Sequence, residues 1–528
     1  VGEDARVSLS ALASLSSAPP VRLGEWRLSD KGEVPVMLEF DLGADPEKQV
    51  FVVSTDSDRP LAVAVLLHSL GWSGPYQSAL AAAVLIFTFG MITTEVMHRT
   101  MVAMIGVTLT LTLLALQHRV PSLSKAVGWM DHGTLALLWG MMVIVGITMR
   151  TGFFEWTGAW ACKLSGGHKT RLALLLFTVT GGLSAFLDNV TTILLIAPVT
   201  IKLCKLVGLS PVPLLVGEAI FSNLGGTATM IGDPPNILIG NMLADYVGFN
   251  DFLVNLAPGV LLAAPAVFLF LMWYYGDYFR GTLMVDVDQL QKMYPITDRA
   301  LLIKCGTVLG CVMVSFFLNP ITHLDPAWVS IMGAVWLLAA FDMHHCHEAL
   351  QSVEWDTLLF IAALFVMIEG LGELGLWRLI AQTLSELVAL APVASRQYLA
   401  IGLIMWGSAI LSAFVDNVPF TATMVPIMLQ MVHSVEGISI EPLAWALAFG
   451  ACFGGNGTLI GASANIVMAG KAESEGHHIS FLDFMKVGFP AMTLSVAIAN
   501  GFLFALNAAF YQQHAGAHMH DLADIGAR

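Results

Sequence analysis

Asp188 and Asp416 are the residues in this chain best placed to do chemistry. Each stands in the phrase Ser-Ala-Phe-(Leu/Val)-Asp-Asn-Val, beside Asn189 and Asn417 respectively. Each is followed by a Gly-rich stretch: Gly225-Gly226-Thr-Ala-Thr229-Met-Ile-Gly232-Asp-Pro-Pro-Asn236 after the first, and Gly454-Gly455-Asn456-Gly-Thr458-Leu-Ile-Gly461-Ala-Ser463-Ala-Asn465 after the second. The aspartates are 228 residues apart (416 − 188) and the threonines 229 (458 − 229), so a duplicated unit has drifted by one residue. A carboxylate in apolar surroundings is expensive and marks an ion path, a proton relay or a paired site. Asp also caps helices, and Pro419 so near the second aspartate suits a first helical turn, so both roles are expected together.

Matched polar, Gly-rich interruptions in two hydrophobic halves point to a transporter site built from broken helices at a repeat interface. Such a site offers unwound carbonyls and side-chain oxygens for Na⁺, and helix N-termini with free N–H groups for anions. Candidate ion or substrate ligands are therefore Asp188, Asn189, Gly225, Gly226, Thr229, Asn236, Asp416, Asn417, Gly455, Asn456, Thr458, Ser463 and Asn465. Asp188, Asn189, Asp416 and Asn417 are the expected Na⁺ ligands. Gly225, Gly226, Gly454 and Gly455 are expected to take backbone conformations closed to other residues. Asp233-Pro234-Pro235 reads as a helix stop. A buried carboxyl favours its neutral form unless a cation compensates, which makes H⁺ or Na⁺ the expected coupling ion, with no other cofactor.

The elements that must hold these residues are membrane helices. With 528 residues, 56% hydrophobic and 12% charged, and a mean hydropathy of +0.74, the chain has more apolar surface than a soluble core can hide. Apolar runs of about 20 residues, long enough to cross hydrocarbon, fall near 76–95, 98–117, 133–150, 253–275, 299–318, 327–342, 356–372 and 481–511. Segments 170–207 and 396–434 carry the Asp-Asn motif in their middle and read as re-entrant hairpins; 212–247 and 441–472 read as broken helices. Irregular backbone at that depth is tolerated only inside protein or beside water. The expected class is an all-α polytopic membrane protein of two inverted repeats (61–275 and 299–511), each with five crossings and one hairpin. A cytosolic linker (276–298), a β-rich lumenal segment (1–60) and a lumenal tail (512–528) complete it. Strands are expected around Val34–Leu42 and Gln49–Ser54.

Charge supports that orientation. The predicted cytosolic loops hold Arg99, Arg150, Lys163, Lys169, Arg171, Lys202, Lys205, Arg280, Lys292, Arg299, Lys304, Lys471 and Lys486. The opposite side of the membrane core holds Arg119, Lys125, Arg378 and Arg396, a positive-inside bias. A net charge of −15, with 11 acids against 6 bases in residues 1–60, leaves no basic face for nucleic acid. The six cysteines lie in or beside apolar segments without metal or disulfide spacing.

Other signals lose to simpler readings. Gly370-Leu-Gly372-Glu-Leu-Gly375 matches a dinucleotide fingerprint with no βαβ unit around it. The sequons Asn189-Val-Thr191 and Asn456-Gly-Thr458 lie at membrane depth. His344-His345-Cys346-His347 reads as a loop rather than a metal tract. Glu369 and Glu373 read as interfacial, whereas Glu218, inside the first broken helix, could line the path. No His-Glu-x-x-His or nucleophile–base pair argues for an enzyme.

Leu183-Ser-Ala-Phe-Leu-Asp188-Asn-Val-Thr-Thr192, Ile231-Gly-Asp-Pro-Pro-Asn236, Asp416-Asn-Val-Pro-Phe-Thr-Ala-Thr-Met424 and Ala448-Phe-Gly-Ala-Cys-Phe-Gly-Gly-Asn-Gly-Thr-Leu-Ile-Gly-Ala-Ser-Ala-Asn465 closely resemble the melanosomal P protein (oculocutaneous albinism, or pink-eyed dilution) family. The likeness runs from about Glu95-Val-Met-His-Arg-Thr100 to Phe489-Pro490. The wider group is similar to the ion transporter superfamily of sodium/dicarboxylate symporters, arsenite pumps and NhaD-type antiporters. The resemblance implies inverted repeats with two re-entrant hairpins, a homodimer in the lipid bilayer, and an elevator motion in the dicarboxylate branch. In that branch the hairpin tips carry Ser-Asn-Thr; here they read Asp188-Asn189-Val190 and Asp416-Asn417-Val418. Asp for Ser moves the expectation from dicarboxylates toward proton or sodium chemistry. The resemblance also implies an anion, chloride, conductance that raises melanosome lumenal pH and favours pigment synthesis. The family's first helix and cytosolic tail would precede Val1, and Gly276–Asp298 is a short version of its central linker, so the chain is expected to be a fragment. The leading expectation is an organellar transporter of a small anion linked to H⁺ or Na⁺; the alternatives are a Na⁺/H⁺ antiporter and a non-transporting scaffold.

Overall fold

The computed structural model describes residues 5–13, 21–28, 49–55, 76–94, 97–117, 119–282, 295–340, 346–351 and 353–511. The chain divides into two compact units, Val1–Ser69 and Leu70–Arg528. In the first, strands β1 (Ala5–Ala13), β2 (Val21–Leu28) and β3 (Gln49–Thr55) form an antiparallel sheet in the order β2-β1-β3, with Val7 opposite both Trp26 and Thr55. The segment Val34–Leu42 lies outside the described residues.

The second unit is helical, and its order of elements occurs twice. The first run is α1 (Gln77–Thr93), α2 (Arg99–Leu116), α3 (His132–Met149), α4 (Phe153–Leu164), α5 (Lys169–Ser184), α6 (Asn189–Val207), α7 (Val212–Gly226), α8 (Pro234–Met242) and α9 (Phe249–Tyr274). The second is α10 (Arg299–Phe317), α11 (Pro326–Ala340), α12 (Trp355–Glu373), α13 (Leu376–Ala389), α14 (Val393–Ser412), α15 (Asn417–Ser434), α16 (Ile440–Gly454), α17 (Ser463–Ser474) and α18 (Phe481–Leu506). Among the described residues α2, α3, α9, α10, α12 and the α18 stretch are long and apolar enough to cross a membrane. α1, α7, α11 and α16 are shorter apolar helices. This is a multi-pass membrane architecture, with spans set by runs that hydrocarbon accepts.

Packing exchanges between the two runs. α3 packs on α11 and α2 on α12; α8 packs on α15 and α17 on α6; α9 packs on α18. Exchanging each helix for its counterpart nine labels away turns each of these pairings into another of them or into itself. Both Asp-Asn motifs sit at the tips of helical hairpins, α5–α6 and α14–α15, and both Gly-rich stretches break a helix pair, α7–α8 and α16–α17.

Two of these eighteen helices have no counterpart in the expected spans. α4 and α13 are too short to cross, and each packs on the second arm of the following hairpin. Gly152 (φ 72°) and Gly375 (φ 78°) start them in the left-handed region, where glycine alone pays no Cβ penalty. α13 buries Leu376, Trp377, Ala381 and Val388 and exposes Leu379 and Leu387, a two-sided pattern that suits a helix lying along the bundle.

The glycine expectation is corrected here. Gly225, Gly226, Gly454 and Gly455 have no positive φ; Gly455 is at −53°. They are needed for close approach. A Cβ on Gly225 would lie 2.0 Å from the Gly181 carbonyl oxygen, and one on Gly454 2.7 Å from that of Ala409, so broken helix and hairpin meet backbone to backbone.

Candidate ion site

Both hairpin tips begin a helix with the motif aspartate. Asp188 Oδ1 accepts from the Thr191 N–H at 2.9 Å, and Asp416 Oδ1 from the Val418 N–H at 3.0 Å, so each caps its helix. Capping uses one oxygen and leaves the carboxylates half-buried beside a shared pocket. Asp188, Asn189, Asp233, Glu354, Thr357, Asn417 and Ser463 line that pocket together with Arg99.

Asp233 is the centre. It is fully buried, and its carboxylate accepts from Asn189 Nδ2 (3.3 Å) and Asn417 Nδ2 (3.4 Å to each oxygen), one asparagine from each hairpin tip. Asp188 lines the same pocket, and Asp416 approaches it through Ser463. Asn223 of α7 ties the halves beneath: it accepts from Asn189 at 3.0 Å and donates to Asn456 and Asn465 at 2.9 and 3.2 Å. Buried amides linked this way hold the tips in one arrangement, because each lost bond would strand a polar group.

At the rim, Arg99 from the start of α2 donates to Ser463 Oγ (2.7 Å) and Thr357 Oγ1 (2.8 Å), stacks on Phe360, and lies 3.9 Å from Asp416 Oδ2. Ser463 also donates to Asp416 Oδ2 at 3.0 Å, and Thr357 to Glu354 Oε2 at 2.9 Å. Arg99 is the one cationic side chain among the described residues lining the pocket, against Asp188, Asp233 and Glu354.

Of the residues singled out from sequence, the structure brings Asp188, Asn189, Asn417 and Ser463 to the pocket, with Asp416 touching Ser463. The others form the frame behind it. Thr229 and Thr458 donate to the carbonyls of Ala185 and Ala413 in the hairpin tips. Asn236 Nδ2 donates to the carbonyls of Thr227 and Thr229, and Asn465 Nδ2 to those of Gly455 and Thr458, closing the two breaks internally. Gly225, Gly226 and Gly455 serve close approach, and Asn456 receives Asn223. For Na⁺, the carboxylate and hydroxyl oxygens at the rim and centre are the donors available; among the described residues no three His, Cys, Asp or Glu side chains converge on one point. Glu218 is fully buried in α7 and does not line the pocket.

Arg99, Asp233, Glu354 and Thr357 escaped the sequence reading as pocket residues, and Asn223 as the amide beneath them. Asp233 stands inside the motif and reads there as a helix stop; Ala462 in its place in the second copy marks the two halves as chemically unequal without placing Asp233 in the pocket. Arg99 carries no local spacing that ties it to Ser463.

A family model described as citrate transporter matches residues 89–450. The human P protein is 39% identical over 499 residues, which are 81% of this chain and 60% of that protein. The chain thus spans about 60% of the length of that relative. An uncharacterized transporter of Mycobacterium tuberculosis is 41% identical over 375 residues, covering 71% of this chain and 86% of its own length. Among solved structures, the YdaH transporter of Alcanivorax borkumensis aligns with a TM-score of 0.54 at 13% identity, over 77% of this chain and 98% of that one, a likeness of fold.

Proposed function

From the premise that this chain belongs to the citrate transporter family, we propose a secondary ion transporter in which H⁺ or Na⁺ neutralises the acidic pocket before a small anion such as chloride crosses beside Arg99. The observation that carries this reading is Asp233, fully buried between Asn189 and Asn417 in the pocket that Asp188 lines and Asp416 approaches through Ser463. Unneutralised carboxylates in one low-dielectric pocket repel each other and any anion. Cation binding removes both obstacles, and the Arg99 guanidinium is then the natural contact for the anion. Citrate itself fits this chemistry poorly, since its carboxylates would meet Asp188, Asp233 and Glu354 with one guanidinium to receive them. Kinship with the P protein family extends the proposal to the membrane of a melanosome-like organelle, where such transport would set lumenal pH for pigment synthesis. The likeness to an uncharacterized transporter of a bacterium supports a transport step that needs no such organelle.

A second reading, Na⁺/H⁺ antiport without an anion, is favoured by the excess of carboxylates in the pocket. Ion-replacement flux in proteoliposomes separates the two: flux that follows chloride and ignores sodium removes the antiporter, and flux that follows sodium and ignores chloride removes the anion carrier. In either case Asp233→Asn should cut flux roughly 10- to 100-fold, as expected for lost hydrogen bonds to a charged group at about 1.5–3 kcal/mol. Full flux in a folded Asp233→Asn protein would remove the pocket from the mechanism.

A further inference from the structure

Glu218 is a fully buried carboxyl outside the pocket. Oε1 accepts from the Thr200 hydroxyl of α6 at 2.5 Å, and Oε2 has no hydrogen-bond partner. A sodium ion is held by several oxygens, and Glu218 meets one hydroxyl, that of Thr200. The titratable groups facing this region are Cys204 on α6 and Tyr278 in the turn after α9; Tyr278 donates to the Ser210 carbonyl at 2.6 Å and lies under the Lys169 ammonium. Lys202 and Lys205 on α6 are exposed.

The internal repeat separates need from tolerance. α7 and α16 align without a gap at the 229-residue offset, from Pro213 with Pro442 to Gly225 with Gly454. Glu218 then corresponds to Leu447, and Thr200, at the 228-residue offset of the hairpin, to Met428; both are fully buried. One architecture holds an apolar pair in one half and an acid–hydroxyl pair in the other. Packing therefore does not demand the carboxyl, and an uncompensated buried acid is a liability unless it is used.

We propose that Glu218 is a proton-binding site of this transporter, separate from the Asp233 pocket and served from the end of α7 near Ser210 and Tyr278. One proton from water adds to a carboxylate oxygen and returns to water when the group ionises. Inward along the same face of α7, four residues on, Ser222 donates to the Asn189 carbonyl, so this site and the pocket share a helix that can couple them.

The inference rests on the reading that protons drive the carrier, and a measurement on the purified chain tests it apart from transport. Infrared difference spectra over a pH titration should show a protonated-carboxyl band that Glu218→Gln loses and Asp233→Asn keeps. In proteoliposomes Glu218→Gln should shift the pH dependence of flux by about one unit or more. Glu218→Leu, which copies Leu447, should fold and behave alike. Persistence of that same band, unchanged, in Glu218→Gln overturns the site. Failure of both variants to fold also overturns it, since the carboxyl would then be structural. Loss of the band with unaltered transport keeps the site and removes its link to the proposed function.

Discussion

The two copies of the motif share a frame and differ in charge. Each has an aspartate capping the second arm of a hairpin, a threonine fastened to a hairpin-tip carbonyl, an asparagine closing the helix break, and glycines where the broken helix meets the hairpin. The first copy alone carries Asp233, where the second has Ala462, and Glu218, where the second has Leu447. The second alone presents a serine, Ser463, to Arg99. The frame is common to both copies and the polar chemistry is not; an acid at membrane depth is costly unless it is paired or used.

That contrast can be broken most severely at the shared frame. Gly225→Ala should destabilise by more than about 3 kcal/mol, because the new Cβ collides with the backbone of Gly181, which cannot swing aside. Thermal unfolding in detergent checks this, and a Gly225→Ala protein of unchanged stability would show that the hairpin and broken helix are not packed this closely. Smaller effects are expected from Thr229→Val and Thr458→Val. Each removes one bond to a tip carbonyl and should cost about 1 kcal/mol, and Thr229→Val should cost more because Thr229 Oγ1 also accepts from the Gly232 N–H at 3.2 Å. Equal costs would mean that this second bond contributes nothing.

The smallest effect lies at the exposed pair between Lys205, at the end of α6, and Glu475, just after α17, which links the two halves outside the pocket. The hydrogen bond and charge of Lys205 hold the Glu475 carboxyl below its ordinary value of 4.5. The pair's contribution is therefore complete above that value and is lost as pH falls through the lowered one. Glu475→Gln should match the parent protein in the acid range and fall slightly below it near neutrality; melts at both pH values would decide.

Much of the architecture was legible because hydrocarbon imposes a length. The span expected at 356–372 is Trp355–Glu373, and the hairpins expected at 170–207 and 396–434 turn at the motif aspartates. α4 and α13 were not legible, since they neither cross nor form a continuous apolar run. At the site, Asp188, Asn189 and Asn417 announced themselves by repetition, and Ser463 by standing inside the second Gly-rich stretch. Arg99, Asn223 and Thr357 did not, because each occurs once and in an otherwise ordinary helix, and neither did Glu354, just before α12.

By itself the sequence determined that the chain enters a membrane, that its working unit is duplicated, and where each half interrupts its helices. These follow from local apolar length and from repetition. Tertiary structure alone decided that Asn189 and Asn417 close on the same Asp233, and that Arg99 reaches Ser463 across 364 residues of chain. Neither hydropathy nor spacing carries that information. It arises when α8 packs on α15 and α17 on α6, so that each half completes its site with the other.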